Sequence, residues 1–352
     1  MIDQNVRAMV LAAGIGSRLQ PLSDEIPKPL IKIGGNSIMG HILHLLKKHG
    51  IKKIISNTHH LADKIHKEFS DINQKEDIEL SFVHEDKLSG VAGGIRRCQD
   101  FLKHSTACII MGDALTDIDL SDLYNKHIQA VKKYNCLATI AQMQVEDSSQ
   151  FGVIVTENLL PDFKKTENEI DGARVVQFQE KPSASEALSN WANTGVYFFE
   201  PEIYQYIPSI EEAPVYDVAK NLFPRLLKEG KYIQAISVKP GTYWADLGTP
   251  KQYIQSIKDL ANGFIKLDNL TEIDPSSKIS PLADLRGAIE MGKNCNIEDD
   301  VILEDSILWD NVLVGKGSEI KNSILGSNAV IPPNSKIIND IVVSNKIPEI
   351  SG

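Results

Sequence analysis

Residues 9–30 read MVLAAGIGSRLQPLSDEIPKPL. The stretch opens with the end of a short apolar run, Ala8-Met9-Val10-Leu11, the pattern of a buried strand. It breaks into Ala12-Ala13-Gly14, adds Gly16, presents Arg18, and ten residues later holds Lys28 between Pro27 and Pro29. A strand that ends in small residues lets backbone N–H groups come close to an anion, because no Cβ stands in the way. Arg can fork onto phosphate oxygens, and Lys places a mobile point charge beside it. The stretch therefore predicts a phosphate-handling loop. Two common templates do not describe it. The dinucleotide fingerprint needs a third small residue where Leu19 stands, and no G-K-[ST] follows Gly14 or Gly16. Taken alone, G-x-G also fits a plain strand-to-helix turn.

With Arg18 and Pro27-Lys28-Pro29-Leu30 at this spacing, the stretch resembles the signature of nucleotidyltransferases that make nucleotide sugars. That signature is L-x-G/A-G-x-G-x-R-L-x-P-L-[TS] followed by P-K-P; Ser23 stands where Thr is usual. The resemblance implies that Leu11, Ala12, Ala13, Gly14, Gly16 and Ser17 wrap a nucleoside triphosphate. It also implies that Arg18 and Lys28 bind the triphosphate's phosphates.

From residue 6 to about 250, strand patterns alternate with helical ones, which predicts an α/β fold with a doubly wound, Rossmann-like mixed sheet, mostly parallel. Strands are expected at 8–11, 53–57, 80–83, 107–111, 137–142, 152–155, 175–178 and 195–199, and helices at 38–48, 93–101 and 120–130. Ligands in such sheets bind outside the carboxyl ends of the strands. Both the Gly14 loop and Asp113 fall at such ends. Beyond residue 264 the period changes. Met291, Ile297 and Leu303 are six apart, as are Val314 and Ile320, and then Leu325, Ile331 and Ile337, with register slips between these groups. This predicts a hexapeptide repeat, a small left-handed parallel β-helix. The expected boundaries are a catalytic domain at 1–250, a connecting helix at 251–263 and the β-helix at 264–352.

The 352 residues are 42% hydrophobic, enough for a sizeable core, and carry a formal charge of −10. That charge excludes a general nucleic-acid surface, which needs clustered Lys and Arg, but not a nucleotide held by a few cations. The four cysteines have no metal spacing and read as reduced, buried thiols. No apolar run reaches the ~20 residues of a membrane span, and the N-terminus goes straight into a strand. A soluble, cytoplasmic protein is expected, with no membrane or nucleic-acid partner.

Asp113 closes the apolar run 107–111 in MGDALTDIDL. A carboxylate there faces the ligand crevice and suits Mg²⁺, which takes one or two carboxylates and leaves its other places to water and phosphate. Asp117 and Asp119 are better placed to cap the following helix. The resemblance assigns Asp113 as the first metal ligand. It assigns Asp246, in the W-x-D-x-G-T match from Trp244, as the second; read alone, Asp246 is equally a turn residue. Three further segments resemble the family's sugar-phosphate side: Phe151-Gly152-Val153, Glu180-Lys181-Pro182 and Asn193-Thr194-Gly195. By resemblance Gly152, Asn193, Thr194, Gly195 and Trp244 contact the sugar. Glu180 accepts from its hydroxyls and Lys181 pairs with its phosphate; a plain surface ion pair is a common alternative, but the place after the strand 175–178 and before Pro182 favours the site. On the base side, Leu88 to Gly94 resembles L-G-T-A-G-[AG], with Ser89 and Val91 in place of the usual Gly and Thr. Gly90, Ala92, Gly93 and the nearby His84 are the expected contacts. The other histidines, such as His41, His44 and His49, read as surface residues of helices.

The implied reaction joins a nucleoside triphosphate to a sugar 1-phosphate with Mg²⁺, releasing pyrophosphate. The segments look most like the mannose-1-phosphate guanylyltransferase type, which uses GTP and makes GDP-mannose. Glucose-1-phosphate thymidylyl- and uridylyltransferases share the same motifs. A β-helix also suits acyltransferases, but their histidine base has no counterpart, since all nine histidines lie at or before His127. A non-catalytic regulatory subunit of the same fold usually loses the Arg, Lys or Asp that this chain keeps. The β-helix is expected to serve a homo-oligomer contact or regulation.

Overall fold

The computed structural model describes residues 2–159, 172–268 and 270–344, and the chain packs as two compact units. The first comprises Met1–Gly14, Ile42–Ala114 and Ile118–Trp244; the second comprises Ile15–His41, Leu115–Asp117 and Ala245–Gly352. The opening signature is thus divided. Its strand and Gly14 belong to the first unit, and Gly16 to Leu30 belong to the second.

The first unit is built on a nine-stranded mixed sheet. Its strands are β1 (Arg7–Ala12), β2 (Lys53–Thr58), β3 (Glu79–His84), β4 (Ala107–Met111), β5 (Ala138–Gln144), β6 (Gly152–Thr156), β7 (Ala173–Glu180), β8 (Trp191–Phe199) and β9 (Ile233–Ser237). They lie in the order β3-β2-β1-β4-β8-β5-β9-β7-β6. The first four are parallel, with Ala8 opposite both Ile54 and Cys108. β1 is apolar and buried on both faces, as a central parallel strand must be. The chain runs outward from β1 in one direction to β2 and β3 and in the other to β4. The switch point therefore lies between the ends of β1 and β4, where Gly14 and Asp113 stand. The sheet is not mostly parallel as expected: β8 runs antiparallel to β4, pairing Val196 with Ile110, and to β5, and β7 runs antiparallel to β9 and β6. The register with β4 brings the start of β8 back beside the carboxyl end of β4.

The elements expected over these strands form, with three differences. β9 was not expected; its interior Gln234 and flanking Ser237 shorten the apolar run, and Gln234 is buried because it donates to Thr139 Oγ1 at 2.8 Å. The helix expected at 93–101 forms in two pieces, Val91–Arg97 behind Gly90 and Gln99–Leu102. His41 is not on the surface: it is buried, its Nε2 2.8 Å from the carbonyl of Ile33. Asp119 caps the helix Leu120–Tyr134 by accepting from the Asp122 N–H at 3.0 Å.

In the second unit, the helix Pro250–Ala261, capped by Thr249, leads into a stack of short parallel strands. Asn296 pairs with Leu313 and Leu313 with Val330; Ile302 with Glu319 and Glu319 with Lys336; Ile307 with Ile324 and Ile324 with Ile341. From Asn296 onward each turn of this stack takes 17 residues, the separation at which asparagine side chains bond from one turn to the next; the turn before it takes 18 at Lys278 and Asp284. The buried inward residues Ile297, Leu303, Leu308, Val314, Ile320, Leu325 and Ile331 explain the slips in the six-residue period. Three sides share each 17-residue turn, so one side per turn takes five residues. Asn294, Asn311 and Asn328 occupy one corner with φ of 54°, 62° and 61°, a conformation Asn tolerates better than most residues. Their side chains form a ladder, Asn311 donating to Asn328 at 3.2 Å.

Candidate active site

In the second unit the cations of the signature meet a carboxylate far along the chain. Gly16 turns with φ of 72°, and a Cβ there would sit 3.4 Å from the Cβ of Lys28, so the loop folds back onto that lysine. Pro27 and Pro29 pre-set the turn Lys28–Leu30, closed by Leu30 N–H to the Pro27 carbonyl at 2.8 Å. Lys28 is buried, and its Nζ donates to Asp246 Oδ1 at 2.8 Å. A buried ammonium requires such a partner. Arg18 Nη2 donates to the other oxygen, Oδ2, at 3.3 Å, and its side chain is 48% exposed. Lys28 is held firmly, whereas Arg18 can swing into solvent or onto a ligand. Gly248 makes the cluster possible, since a Cβ there would lie 2.7 Å from Arg18 Nη2 and 3.0 Å from Asp246 Oδ2. Sequence reasoning missed its role, although it is the glycine of the W-x-D-x-G-T match.

In the first unit, Gly14 has open space where a side chain would project. The Ala12 N–H donates to Asn57 Oδ1 at 3.0 Å, and Asn57 Nδ2 donates to Glu85 Oε1 at 2.6 Å. Glu85 Oε2 accepts from the Ser89 hydroxyl at 2.6 Å and its N–H at 3.2 Å. One buried carboxylate thus ties the end of β1 to the turn Leu88–Gly94. Ser89, in place of the usual Gly, supplies the hydroxyl. Gly90 starts the helix at φ 76°, and a Cβ there would lie 2.6 Å from the Tyr216 carbonyl. A side chain on Gly94 would meet Asn57 and Glu85. His84 is exposed at the end of β3, its ring stacked 6.4 Å from His59. Glu85, its neighbour, is the group that organises this side; the acidic, polar surroundings HEDK gave no sign of its burial.

The expected sugar-side residues also gather in the first unit. Gly112 N–H donates to the Leu11 carbonyl at 2.9 Å, which ties the turn carrying Asp113 to the end of β1. Across β4, the strand β8 bulges between Asn193 and Tyr197. Gly195, at φ 76°, is packed so that a Cβ would lie 2.3 Å from Met111 Cγ. Asn193 Oδ1 accepts from the Gly195 N–H at 3.1 Å, and its Nδ2 donates to Tyr197 Oη at 2.8 Å. Thr194 donates to the Ala141 carbonyl, while its own carbonyl accepts from Trp244 Nε1 at 2.8 Å. The Trp244 ring packs 5.1 Å from Phe151. Glu180 pairs with Gly152 across β7 and β6, and a Cβ on Gly152 would come 3.2 Å from Glu180 Oε2. Burial, and then the charge of Asp217, push the Glu180 carboxyl above its ordinary range. Lys181 follows with φ of 49°, exposed, its N–H on the Phe151 carbonyl at 3.1 Å.

The first unit's mixed sheet carries glycine-rich turns at its strand ends, the second unit gathers two cations on one carboxylate, and comparison with known proteins gives the class. Residues 7–263 match the nucleotidyl transferase family, and residues 268–348 match the GMPPB C-terminal domain. The chain belongs to the nucleotidyl transferase family and is an enzyme of that class. It is 32% identical to a UTP–glucose-1-phosphate uridylyltransferase of Synechocystis over 90% of this chain and 82% of that one. It is 28% identical to a mannose-1-phosphate guanylyltransferase of Mycobacterium tuberculosis over 91% of this chain and 84% of that one. The crystal structure of a UDP-glucose pyrophosphorylase complexed with UDP-glucose superposes with a TM-score of 0.59 at 20% identity, covering 73% of this chain and 98% of the other. Among the described residues, no helix is long and apolar enough to cross a membrane.

Proposed function

We propose that this protein condenses GTP with mannose 1-phosphate to give GDP-mannose and pyrophosphate. The observation that carries the reaction is the pairing of Lys28 and Arg18 on Asp246. Two cations share one carboxylate and leave a net positive charge: Lys28 presents it from a fixed, buried place, and the exposed Arg18 is able to swing onto triphosphate oxygens. The C-terminal match and the mycobacterial relative support guanine and mannose. The Synechocystis relative supports a second reading with UTP and glucose 1-phosphate.

In this mechanism a phosphate oxygen of the sugar 1-phosphate attacks the α-phosphorus in line. The new P–O bond forms as the bond to the pyrophosphate oxygen breaks, and that electron pair leaves with pyrophosphate. The attacking oxygen is already anionic, so the step needs no general base and no covalent enzyme intermediate. Catalysis is then positioning and charge neutralisation. Lys28 and Arg18 take the β- and γ-phosphate charge, and Lys181 takes the sugar phosphate. Glu180 accepts from a sugar hydroxyl. The Asn193–Gly195 bulge offers backbone groups that Gly195 alone could place so close to Met111.

The resemblance gives Asp113 and Asp246 as the ligands of a hard cation, and carboxylate oxygens are the donors Mg²⁺ takes; no group of three or more His, Cys, Asp or Glu that could hold a metal is gathered among the described residues. Mg²⁺ held by these two carboxylates would neutralise charge on the phosphate oxygens. A panel of GTP, UTP and dTTP crossed with mannose and glucose 1-phosphates, read by pyrophosphate release, tests the proposal. Preference for GTP with mannose 1-phosphate supports it, preference for UTP with glucose 1-phosphate selects the second reading, and silence with every pair overturns both.

A further inference from the structure

Lys28 is followed at once by a hairpin, Lys32–Ile33 paired with Asn36–Ser37, whose turn Gly34-Gly35 has φ of 61° and 84°. Within the second unit, C-terminal residues hold four polar backbone groups of that hairpin's first strand and turn. Tyr253, fully buried, donates its hydroxyl to the Lys32 carbonyl at 2.8 Å and receives Trp309 Nε1 at 3.3 Å. The Gly34 carbonyl accepts from the Thr271 N–H at 2.8 Å. The Gly34 and Gly35 N–H groups point at one carboxyl, Glu290, at 3.0 and 3.3 Å. Side chains on these glycines are excluded: Cβ atoms would come 2.5 Å from Leu270 and 2.8 Å from the Thr271 carbonyl.

Glu290 lies in the first long strand of the stack, Asp284–Met291, and is 6% exposed. Burying a carboxyl is costly unless its hydrogen bonds are worth the desolvation. The presence of a carboxyl at this place in the stack needs a reason. Two features supply it. The turn's N–H pair has no strand partner of its own, and the hairpin begins four residues after the lysine that a triphosphate would contact. The burial is also strong enough to push the Glu290 carboxyl up to about 8 despite the two N–H donors and nearby Lys32.

We infer that Glu290, with Tyr253 and Trp309, is a positioning clamp through which the C-terminal strand stack sets the place of Lys28 for the triphosphate. The clamp rests on the role given to Lys28 above, but its geometry can be tested without turnover. The hairpin backbone transmits the constraint: Ile31 is buried, its N–H bonds to the Lys28 carbonyl at 3.1 Å, and its own carbonyl accepts from the Ile38 N–H at 2.9 Å. Loosening the Gly34-Gly35 turn frees the segment that ends at Lys28, and small misplacements of a positioned group are expensive in rate.

The test compares the full-length wild type with Glu290→Gln and Trp309→Phe. Gln keeps the volume but sets an NH₂ against one of the two N–H donors, and Phe keeps a ring while removing the donor to Tyr253. Two measurements are made: steady-state constants, and the rate of Lys28 acetylation by acetic anhydride without substrates, read by mass spectrometry against the exposed Lys53. The clamp predicts that acetylation of Lys28 rises severalfold relative to Lys53. It also predicts that the KM for the triphosphate rises about tenfold while that for the sugar phosphate stays within twofold. Unchanged Lys28 acetylation in folded variants overturns the clamp. Should Glu290→Gln fail to fold, Trp309→Phe decides in the same direction. If the wild type shows no turnover, the proposed reaction fails while the acetylation result still judges the clamp.

Discussion

Substituting Gly248 by Ala separates catalysis from stability at the cation cluster. An added Cβ would stand 2.7 Å from Arg18 Nη2, 3.0 Å from Arg18 Cζ and 3.0 Å from Asp246 Oδ2. The backbone at Gly248 does not have positive φ, so Ala is not strained there. Arg18 is the part that yields, being the far end of a long side chain with 48% exposure. The ion pair it leaves is an exposed one, worth about 0.2–1 kcal/mol. Replacing Gly by Ala at an unstrained position returns about 0.4–1 kcal/mol through the unfolded chain. The two nearly cancel, so the melting temperature should move by no more than a degree or two. Turnover should not survive so well. Arg18 is displaced from the place where it would reach phosphate, and loss of one charge-stabilising donor costs on the order of 10²–10³ in rate. The assay is pyrophosphate release at saturating substrates, beside a thermal melt. A variant with wild-type melting and turnover within twofold of wild type would refute the reasoning, because Arg18 would then need no fixed place.

Other substitutions probe the remaining groups. Asp113→Asn should keep the fold and lower pyrophosphate release by about 10²–10³, and near-normal turnover would remove Asp113 from the site. Gly195→Ala should destabilise the protein by at least about 1–3 kcal/mol, since it forces positive φ on a residue with a Cβ and drives that Cβ into Met111; an unchanged denaturant midpoint would contradict the packing. Because burial raises the Glu180 carboxyl, the acid limb of the activity profile should lie higher than an ordinary carboxylate would place it, and Glu180→Gln should remove that limb. Glu290 governs stability in the opposite sense to a salt-bridged acid. Its carboxyl titrates at about 8 when folded, against 4.5 ordinarily, so the unfolded chain ionises first as pH rises. Stability should therefore fall from about pH 4.5 to about 8, among the neighbouring charges of Lys32 and Glu272, and Glu290→Gln should flatten that fall in urea titrations.

Much of the scaffold was legible because it depends on local pattern. The helix Ile38–Lys48 and the strands around Met9, Ile55 and Ile109 form where apolar periodicity puts them. The six-residue repeat, slips included, was visible before the 17-residue turn explained it. What stayed hidden depends on long-range encounters. Nothing in the spacing of Arg18, Lys28 and Asp246 announces that one carboxylate takes both cations. Glu85 and Glu290 look like surface acids in sequence, and only the glycines and amides they meet across the fold account for their burial. The antiparallel entry of β8 was likewise unreadable, because strand direction leaves no mark on an apolar run.

The most direct measurement follows the oxygen that forms the new bond. Mannose 1-phosphate carrying ¹⁸O on its phosphate is incubated with GTP and the enzyme, and the products are read by ³¹P NMR isotope shifts. The account predicts GDP-mannose with ¹⁸O in the bridge between its two phosphorus atoms, and pyrophosphate free of label. Label absent from the bridge, or no nucleotide sugar at all, would contradict it.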